Sequence, residues 1–530
     1  MINVLPTHRN WNVAQQLRRA SAGWWVWFLG LMALCGVFGL VMWRNGPNVS
    51  QIAWLCFIII VGIVLRQPRY GVYIIIGLAL TGDIVLTPWY PFTKNLSSLE
   101  SIMYVSRSLN FSPMEIVLAL TYLSWLGRAA MQRKLAWFSG PLLAPMLVFT
   151  GCVAYGLIYG LGTHGNSNVG LWEVRAIFYL PAMFVLTSNL IETREHVSHV
   201  MWAVIIGLFL DSLSGFSFAV FTLQFKFSTV EAIAEHSNSI HLNSLFVLMI
   251  GAWLYRASYA LRLIPLVMLP TTLLTYAANQ RRAAFITLGV AFVVLAIIVY
   301  QRHRMFVLCM LPIVAVVGSL YLAAFWNSHG VLATPARAVR SMFTPDDASS
   351  RDGSSNEYRQ LENMNILFTI KTAPLRGIGF GHKFYIVVPM PDISFFVWWE
   401  YITHNSLLWI WMQTGLFGFL ALITLIGQAI MRGTWALFRM PDGDLSVVAL
   451  AALSYVIMHF TFAYVDMSWD LQSMLYMGVM MGLINSLEHI VAKPVAVPAK
   501  RWPWQPTPVP PPGLRPLAVD AAVDAKAAQP

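Results

Sequence analysis

The chain turns polar at RDGSSNEYR (residues 351–359), passes through the glycine-rich PLRGIGFG (374–381) and turns apolar again after HNS (404–406). Nearly all of the remaining sequence is apolar. Of the 530 residues, 58% are hydrophobic and only 11% are charged, whereas about 25% are charged in ordinary globular chains. A polar segment of this size inside such a chain does something other than cross a bilayer. We interpret it as an active-site loop.

Apolar runs that could cross a bilayer as helices recur along the chain. Roughly 18 or more residues span a hydrocarbon core of about 30 Å, and the runs lack the alternating polarity of barrel strands. The candidate spans are 24–43, 50–65, 70–89, 113–128, 141–161, 171–190, 198–222, 239–256, 261–278, 283–300, 304–325, 405–431, 446–464 and 469–490. The sequence therefore predicts an all-α, polytopic integral membrane protein with about 12–14 transmembrane helices and one large periplasmic loop.

The positive charges of the short loops predict the orientation. Most of them fall on one side of the predicted spans, which the positive-inside rule makes cytoplasmic. They include Arg18, Arg19, Arg66, Arg69, Arg128, Arg133, Lys134, Arg194, Arg256, Arg262, Arg302, Arg304, Arg432 and Arg439. This pattern explains the net charge of +11 without a nucleic-acid partner.

The same map predicts how the chain is organised. A cytoplasmic N-terminus (1–23) precedes transmembrane helices 1–11 (24–325), and a large periplasmic loop (326–403) precedes transmembrane helices 12–14 (404–490). A Pro-rich, disordered cytoplasmic tail follows (491–530). The map places the large loop outside the cytoplasm.

Several arginines lie on the predicted outer side, where orientation does not explain them. Arg281 and Arg282 occupy a very short turn between two spans, Arg175 lies near the start of another span, and Arg359 and Arg376 belong to the long loop. A guanidinium group is always charged and can bind two phosphate oxygens at once. Together these side chains would suit a lipid-linked pyrophosphate. For Arg175, an ion pair with a nearby carboxylate, for which Glu173 is the candidate, explains the charge equally well.

His404 and Asn405 lie where predicted transmembrane helix 12 begins. An imidazole at the membrane face can accept a proton from a hydroxyl at neutral pH. Asparagine at a helix N-terminus is a routine cap, and this is the simpler explanation of Asn405.

A helix is predicted over residues 356–368 from the spacing of its apolar side chains. It carries Tyr358 and Arg359, and Glu362 is expected on a solvated face. The glycines of residues 377–381 lack the strand–turn–helix context of a nucleotide-binding loop. They are expected to form a tight turn over the membrane surface.

These elements, in this order, resemble the O-antigen ligase/polymerase family of bacterial membrane glycosyltransferases. The resemblance rests on Arg282-Ala283-Ala284, Tyr358-Arg359, Pro374–Gly381, His404-Asn405 and Gly415–Gly418. It implies a metal-independent and cofactor-independent transfer of a glycan from undecaprenyl pyrophosphate. The acceptor would be a hydroxyl of a lipid A core, a protein or another glycan. The resemblance also implies that the protein lies in a bacterial inner membrane with its active site facing the periplasm.

The resemblance also implies roles for individual residues. His404 would be the general base, while Arg282 and Arg359 would bind the pyrophosphate and stabilise its developing charge. Further predicted pyrophosphate contacts are Arg281, Arg175 and Arg376, and predicted supporting residues are Asn405, Tyr358 and Gly379. Arg281 stands where the family often has serine, so the sequence leaves open which arginine of this turn is functional.

Other functions stay open at this point. A polymerase that extends a carrier-linked O-antigen or exopolysaccharide would share the donor site, and the late position of the loop favours a ligase only slightly. A transporter similar to proposed bicarbonate transporters would use ionisable residues within the membrane, for which Asp83 and Asp211 are candidates. A structural membrane subunit would leave the outer arginines without a role.

Overall fold

The computed structural model describes residues 29–492, except residues 31, 41, 43, 45, 47, 228–229, 231, 329, 344–349 and 394–396. The predicted cytoplasmic N-terminus (1–23), the start of the first predicted span (24–43) and nearly all of the predicted tail (491–530) lie outside the described residues.

The described part of the chain is helical and contains no β-strand. Its α-helices are α1 (Val49–Arg66), α2 (Arg69–Thr81), α3 (Pro113–Met131), α4 (Leu143–Gly162), α5 (Ser167–Leu190), α6 (Arg194–Ser217), α7 (Asn238–Leu254), α8 (Tyr259–Ala278), α9 (Arg282–Phe325), α10 (Thr334–Phe343), α11 (Ser350–Thr372), α12 (Ser406–Arg439), α13 (Asp444–Val465) and α14 (Leu471–Ala492).

Among the described helices, nine are long and apolar enough to cross a membrane, and α2 and α7 are shorter apolar helices. This confirms a polytopic α-helical membrane protein. Helices α13 and α14 form the centre of the bundle. In each of them 83% of the most apolar 18-residue segment is buried, whereas only 17% is buried in α1. Helix α8 continues through Pro265 and Pro270, as membrane helices can where neighbouring groups satisfy the freed backbone.

The spans predicted at 283–300 and 304–325 are two helical parts of α9 that meet at a kink, because its backbone is non-helical at His303 (φ −125°, ψ 46°). Another span is shorter than predicted. Helix α2 ends at Thr81 rather than at the predicted residue 89. It ends early because the Asp83 carboxylate accepts the backbone N–H groups of Val85 and Leu86, both at 2.8 Å, and turns the chain.

The loop between α9 and α12 contains the predicted helix over 356–368, which is confirmed and longer as α11. Asn365 on its buried face binds an extended segment of the same loop. Its amide oxygen accepts the N–H groups of Val387 and Val388 at 2.8 Å, and its amide nitrogen donates to the Val388 carbonyl at 2.8 Å. The loop is therefore folded on α11 rather than free above the helices.

Helix α12 is broken near its start. Gly415 has φ +73° and ψ −176°, so a short helical piece carrying the N-terminal residues is separated from the long remainder. This piece packs beside α4 and α11, and it begins directly after His404.

Candidate functional site

His404 is held by a buried carboxylate on α11. The Asn405 side chain caps α12 by accepting the Leu408 N–H at 3.1 Å, as predicted, so His404 lies just outside the helix. The backbone N–H of His404 donates to Glu362 Oε2 at 2.9 Å, and Nδ1 lies 3.2 Å from both carboxylate oxygens. The ring also meets Tyr358 edge to face at 5.5 Å. These contacts orient the imidazole and leave Nε2 as the nitrogen that can take up a proton.

The surroundings of His404 favour its protonated form. Burial opposes the charge, but the hydrogen bond and negative charge of Glu362, together with the charge of Asp466, raise the pKa of His404 above its usual range. Arg359 acts in the opposite direction. A histidine held in this way can accept a proton and keep it as a paired imidazolium.

Asp466 joins this cluster from the connection between α13 and α14. Its Oδ2 lies 3.5 Å from the Arg359 guanidinium and 3.0 Å from His236 Nδ1. The Ser406 hydroxyl donates to the Asp466 carbonyl at 3.0 Å, which ties the connection to the start of α12. Burial opposes ionisation, but His236, Arg359 and His404 hold the pKa of Asp466 well below its usual range. Asp466 is therefore a buried carboxylate shared by Arg359 and His236.

The turn between α8 and α9, which carries Arg281 and Arg282, lies at the same end of the bundle. Asn279 accepts the Ala234 N–H at 3.0 Å and donates to the Ser239 hydroxyl at 2.8 Å. These bonds hold the turn against the segment that contains His236. The arginine turn is thus linked to the cluster of Arg359 and His404 through this segment, because His236 contacts Asp466.

Two other predicted arginines have different surroundings. Arg175 forms an ion pair with Glu115 and donates to Asn95 Oδ1 and to the Tyr179 hydroxyl, both at 2.9 Å. Arg175 is therefore paired with a carboxylate, but the partner is Glu115 and not Glu173, which instead accepts the Gly381 N–H at 2.7 Å. Arg376 is exposed and its guanidinium lies over the Tyr159 ring at 5.6 Å.

The glycine turn is buried between helices, so the prediction of a turn over the membrane surface is wrong. Its backbone pairs with other backbone: the Ile378 N–H donates to the Met412 carbonyl at 2.8 Å, and the Phe380 N–H donates to the Gly156 carbonyl at 3.2 Å. Gly379 has φ +84°, and a Cβ there would lie 2.5 Å from the Gly160 Cα. Only glycine fits such a close approach of two chains. Gly379 thus supports the site by fixing the end of α11.

Sequence reasoning missed three members of the cluster: Glu362, Asp466 and His236. The expectation that Glu362 is solvated is wrong, since it is 1% exposed. It lies three residues after Arg359 and four after Tyr358, which places it on their face of the helix. That spacing was the available signal for Glu362. Neither of the other two residues lies near His404 in sequence.

A cavity of about 600 Å³ adjoins the cluster. Thr403 and Ser406, on either side of His404, line it together with parts of α5, α14 and the loop between α2 and α3. Its lining residues are Gly82, Ile84, Thr93, Lys94, Asn95, Ser97, Ser98, Trp172, Glu173, Arg175, Ala176, Tyr179, Glu235, Ile402, Thr403, Ser406, Trp409, Met467, Trp469, Asp470, Leu471 and Gln472.

Fold and site together define a polytopic membrane protein with a charged, histidine-containing site at one end of its helices. Residues 266–423 match the family model described as O-antigen ligase. The match includes the arginine turn, α11, the glycine turn and His404, and it confirms the resemblance seen in the sequence. A search of curated proteins found no match. The family match supports a glycosyl-transfer role of the ligase or polymerase kind, acting on lipid-linked glycan substrates in general.

Proposed function

We propose that this chain transfers a glycan from undecaprenyl pyrophosphate to an acceptor hydroxyl at the periplasmic face of a bacterial inner membrane. The observation that carries the proposal is the placement of His404, whose Nδ1 is held by buried Glu362 one helical turn from Arg359. A base and a permanent cation on neighbouring elements are what this transfer requires. The family match over the same elements supports the assignment.

In the proposed reaction, His404 Nε2 removes the proton from the acceptor hydroxyl. The acceptor oxygen attacks the anomeric carbon of the donor glycan, and the bond from that carbon to the pyrophosphate oxygen breaks. The leaving pyrophosphate keeps the bonding electrons and gains negative charge. Arg359 and Arg282 stabilise that charge, an electrostatic effect that is strong in a site partly shielded from water. Arg281 and Arg376 are further proposed contacts of the donor, whereas the ion pair with Glu115 gives Arg175 a structural role in this proposal.

The periplasmic location is supported by the charge pattern of the loops. Arginine-rich loops remain on the cytoplasmic side of bacterial membranes, and the loop that carries α11 falls on the opposite side of the sequence map. A lipid-linked pyrophosphate presents its charged group at the membrane surface, level with such a site.

The acceptor separates a ligase from a polymerase, because both reactions would use the same donor. We favour a ligase, with a polymerase of O-antigen or exopolysaccharide as the alternative. The transporter hypothesis depends on Asp83 and Asp211. Asn238 donates to both carboxylates at 2.9 Å, and this internal pairing favours a structural role for them.

The test is transfer by the purified protein in liposomes that contain a carrier-linked glycan and either a lipid A core or a second carrier-linked glycan. Product size and released undecaprenyl pyrophosphate are measured. We expect His404→Ala to lower the rate about 10²- to 10⁴-fold, the usual contribution of a general base. His199→Ala is the matched control, since His199 is an exposed histidine on α6. Full activity of His404→Ala protein would refute the proposed chemistry.

A further inference from the structure

The cavity beside His404 has an unusual balance of charge. Its two cationic lining residues are already paired: Lys94 contacts Glu100 at 2.6 Å, and Arg175 forms the ion pair with Glu115. The two partner carboxylates lie outside the set of lining residues. Each cation on the wall therefore already has a carboxylate partner.

Carboxylates on the same wall are not neutralised in this way. Asp470 accepts the N–H of Ser473 at 2.8 Å and its hydroxyl at 2.6 Å, and neither is a cation. Glu235 also lines the cavity, and within the described part of the chain no Lys or Arg forms an ion pair with either carboxylate. Burial raises the pKa of Glu235, and the charges of Asp470 and Asp83 add to this rise while His236 opposes it.

Aromatic rings complete the wall. The Trp469 indole N–H donates to the Ser406 carbonyl at 3.3 Å, and its ring stacks with Phe149 at 6.3 Å. Trp172 stacks with Trp398 at 5.8 Å. These rings are held before any ligand arrives. Fixed indole rings beside carboxylate oxygens suit a sugar chain, because its C–H faces pack on the rings and its hydroxyls donate to acceptor-only carboxylates.

We propose that this cavity binds the acceptor, and that the acceptor is an uncharged or amino-bearing sugar chain rather than a phosphorylated one. The inference rests on the proposed function, because it assigns the acceptor hydroxyl to the space next to the base. A volume of about 600 Å³ lies within the range of roughly 300–1,000 Å³ that holds small organic ligands. An anionic acceptor would meet Glu235 and Asp470 without a free cation on the wall. The pyrophosphate of the donor belongs instead on the side of Arg359.

Binding is tested directly, without transfer, by calorimetry of the full-length protein in nanodiscs. The probes are a neutral glucan tetrasaccharide, the same glucan carrying a phosphate, and a glucosamine tetrasaccharide. We expect the neutral and amino sugars to bind, and the phosphorylated sugar to bind about tenfold more weakly or worse. Equal or tighter binding of the phosphorylated sugar, or no binding of any probe, overturns the proposal.

Variants locate the binding and explain its selectivity. Trp469→Ala should weaken binding of the neutral sugar about tenfold, and Trp469→Phe should weaken it less. Trp435→Ala is the matched control, because Trp435 lies near the far end of α12. A Glu235→Gln, Asp470→Asn double variant should reduce the difference in affinity between the neutral and the phosphorylated sugar. Unchanged affinity in Trp469→Ala protein, or unchanged selectivity in the double variant, contradicts the assignment.

A competition experiment separates acceptor from donor. Saturating carrier-linked donor should leave the tetrasaccharide bound, and displacement would assign the cavity to the sugars of the donor and overturn the acceptor assignment. The proposed function fails separately. If wild-type protein binds the sugars as expected but transfers nothing, the chemistry is wrong and the binding site stands. If transfer occurs without this binding pattern, only the cavity assignment is wrong.

Discussion

Replacing Gly379 by alanine tests whether the buried glycine turn holds the site together. The added Cβ would lie 2.5 Å from the Gly160 Cα and 2.6 Å from the Gly160 nitrogen, and both contacts are backbone. Such overpacking costs about 1–3 kcal/mol. The φ of +84° adds about 1–2 kcal/mol for a residue with a Cβ. We therefore expect Gly379→Ala to lower the free energy of unfolding by about 2–5 kcal/mol.

The assay is unfolding of the purified protein by denaturant, followed by glycan transfer at a temperature where both proteins remain folded. Gly289→Ala in α9 is the control, because that glycine has helical backbone and nothing lies within 4 Å of the added Cβ. This control variant should have a free energy of unfolding equal to or slightly higher than that of the wild-type protein. The Gly379 variant should also lose transfer, since the turn fixes α11 and with it Arg359 and Glu362. Equal unfolding free energies for the two variants would refute the structural reasoning.

Three further predictions concern the charges of the site and its chemistry. Glu362→Gln removes the carboxylate that raises the pKa of His404, so the pKa of His404 falls because burial then dominates. The acidic limb of the pH profile of kcat/KM should therefore move to lower pH. An unchanged acidic limb would contradict the pairing of His404 with Glu362. Arg175→Ala and Glu115→Gln should each lower the free energy of unfolding by about 1–3 kcal/mol, which is less than the loss expected for a fully buried ion pair. The folded fraction of each variant should keep the wild-type KM for the donor. A raised KM in the Arg175→Ala protein alone would instead mean that Arg175 binds the donor. Transfer should continue at its full rate in EDTA, and a rate that is lost in EDTA and restored by Mg²⁺ would show that the reaction needs a metal ion.

The class of fold could be predicted from the sequence because each membrane helix can be recognised from its own residues. A span needs only an apolar run of sufficient length, and the helix over 356–368 needed only its own spacing. Even the break at His303 coincides with the predicted division between two spans. The early end of α2 was missed because it depends on one side chain, that of Asp83, bonding to the backbone beyond it.

The candidate site was predictable only in part, because its pairs join distant segments. His404 and Arg359 drew attention by residue type and position, and the structure places them in one cluster. The partners that set their charge, Glu362 and Asp466, could not be recognised as partners without the fold. The bond from Arg359 to Asp466 crosses more than a hundred residues of chain. Arg175 shows the same limit: the sequence suggested Glu173 as its partner, yet Glu115 on a different helix supplies the ion pair.

The backbone pairing of the glycine turn has a consequence for exchanging parts between related proteins. Its contacts with Gly156, Met412 and Gln413 are made by main-chain atoms, so the spacing of the chain matters in addition to the buried packing of the Phe380 ring on Trp409. One residue inserted or deleted between Gly377 and Gly381 would put every later N–H opposite the wrong carbonyl. A chimera that receives this loop from a relative should therefore work only if the matching pieces of α4 and the first piece of α12 are transplanted with it.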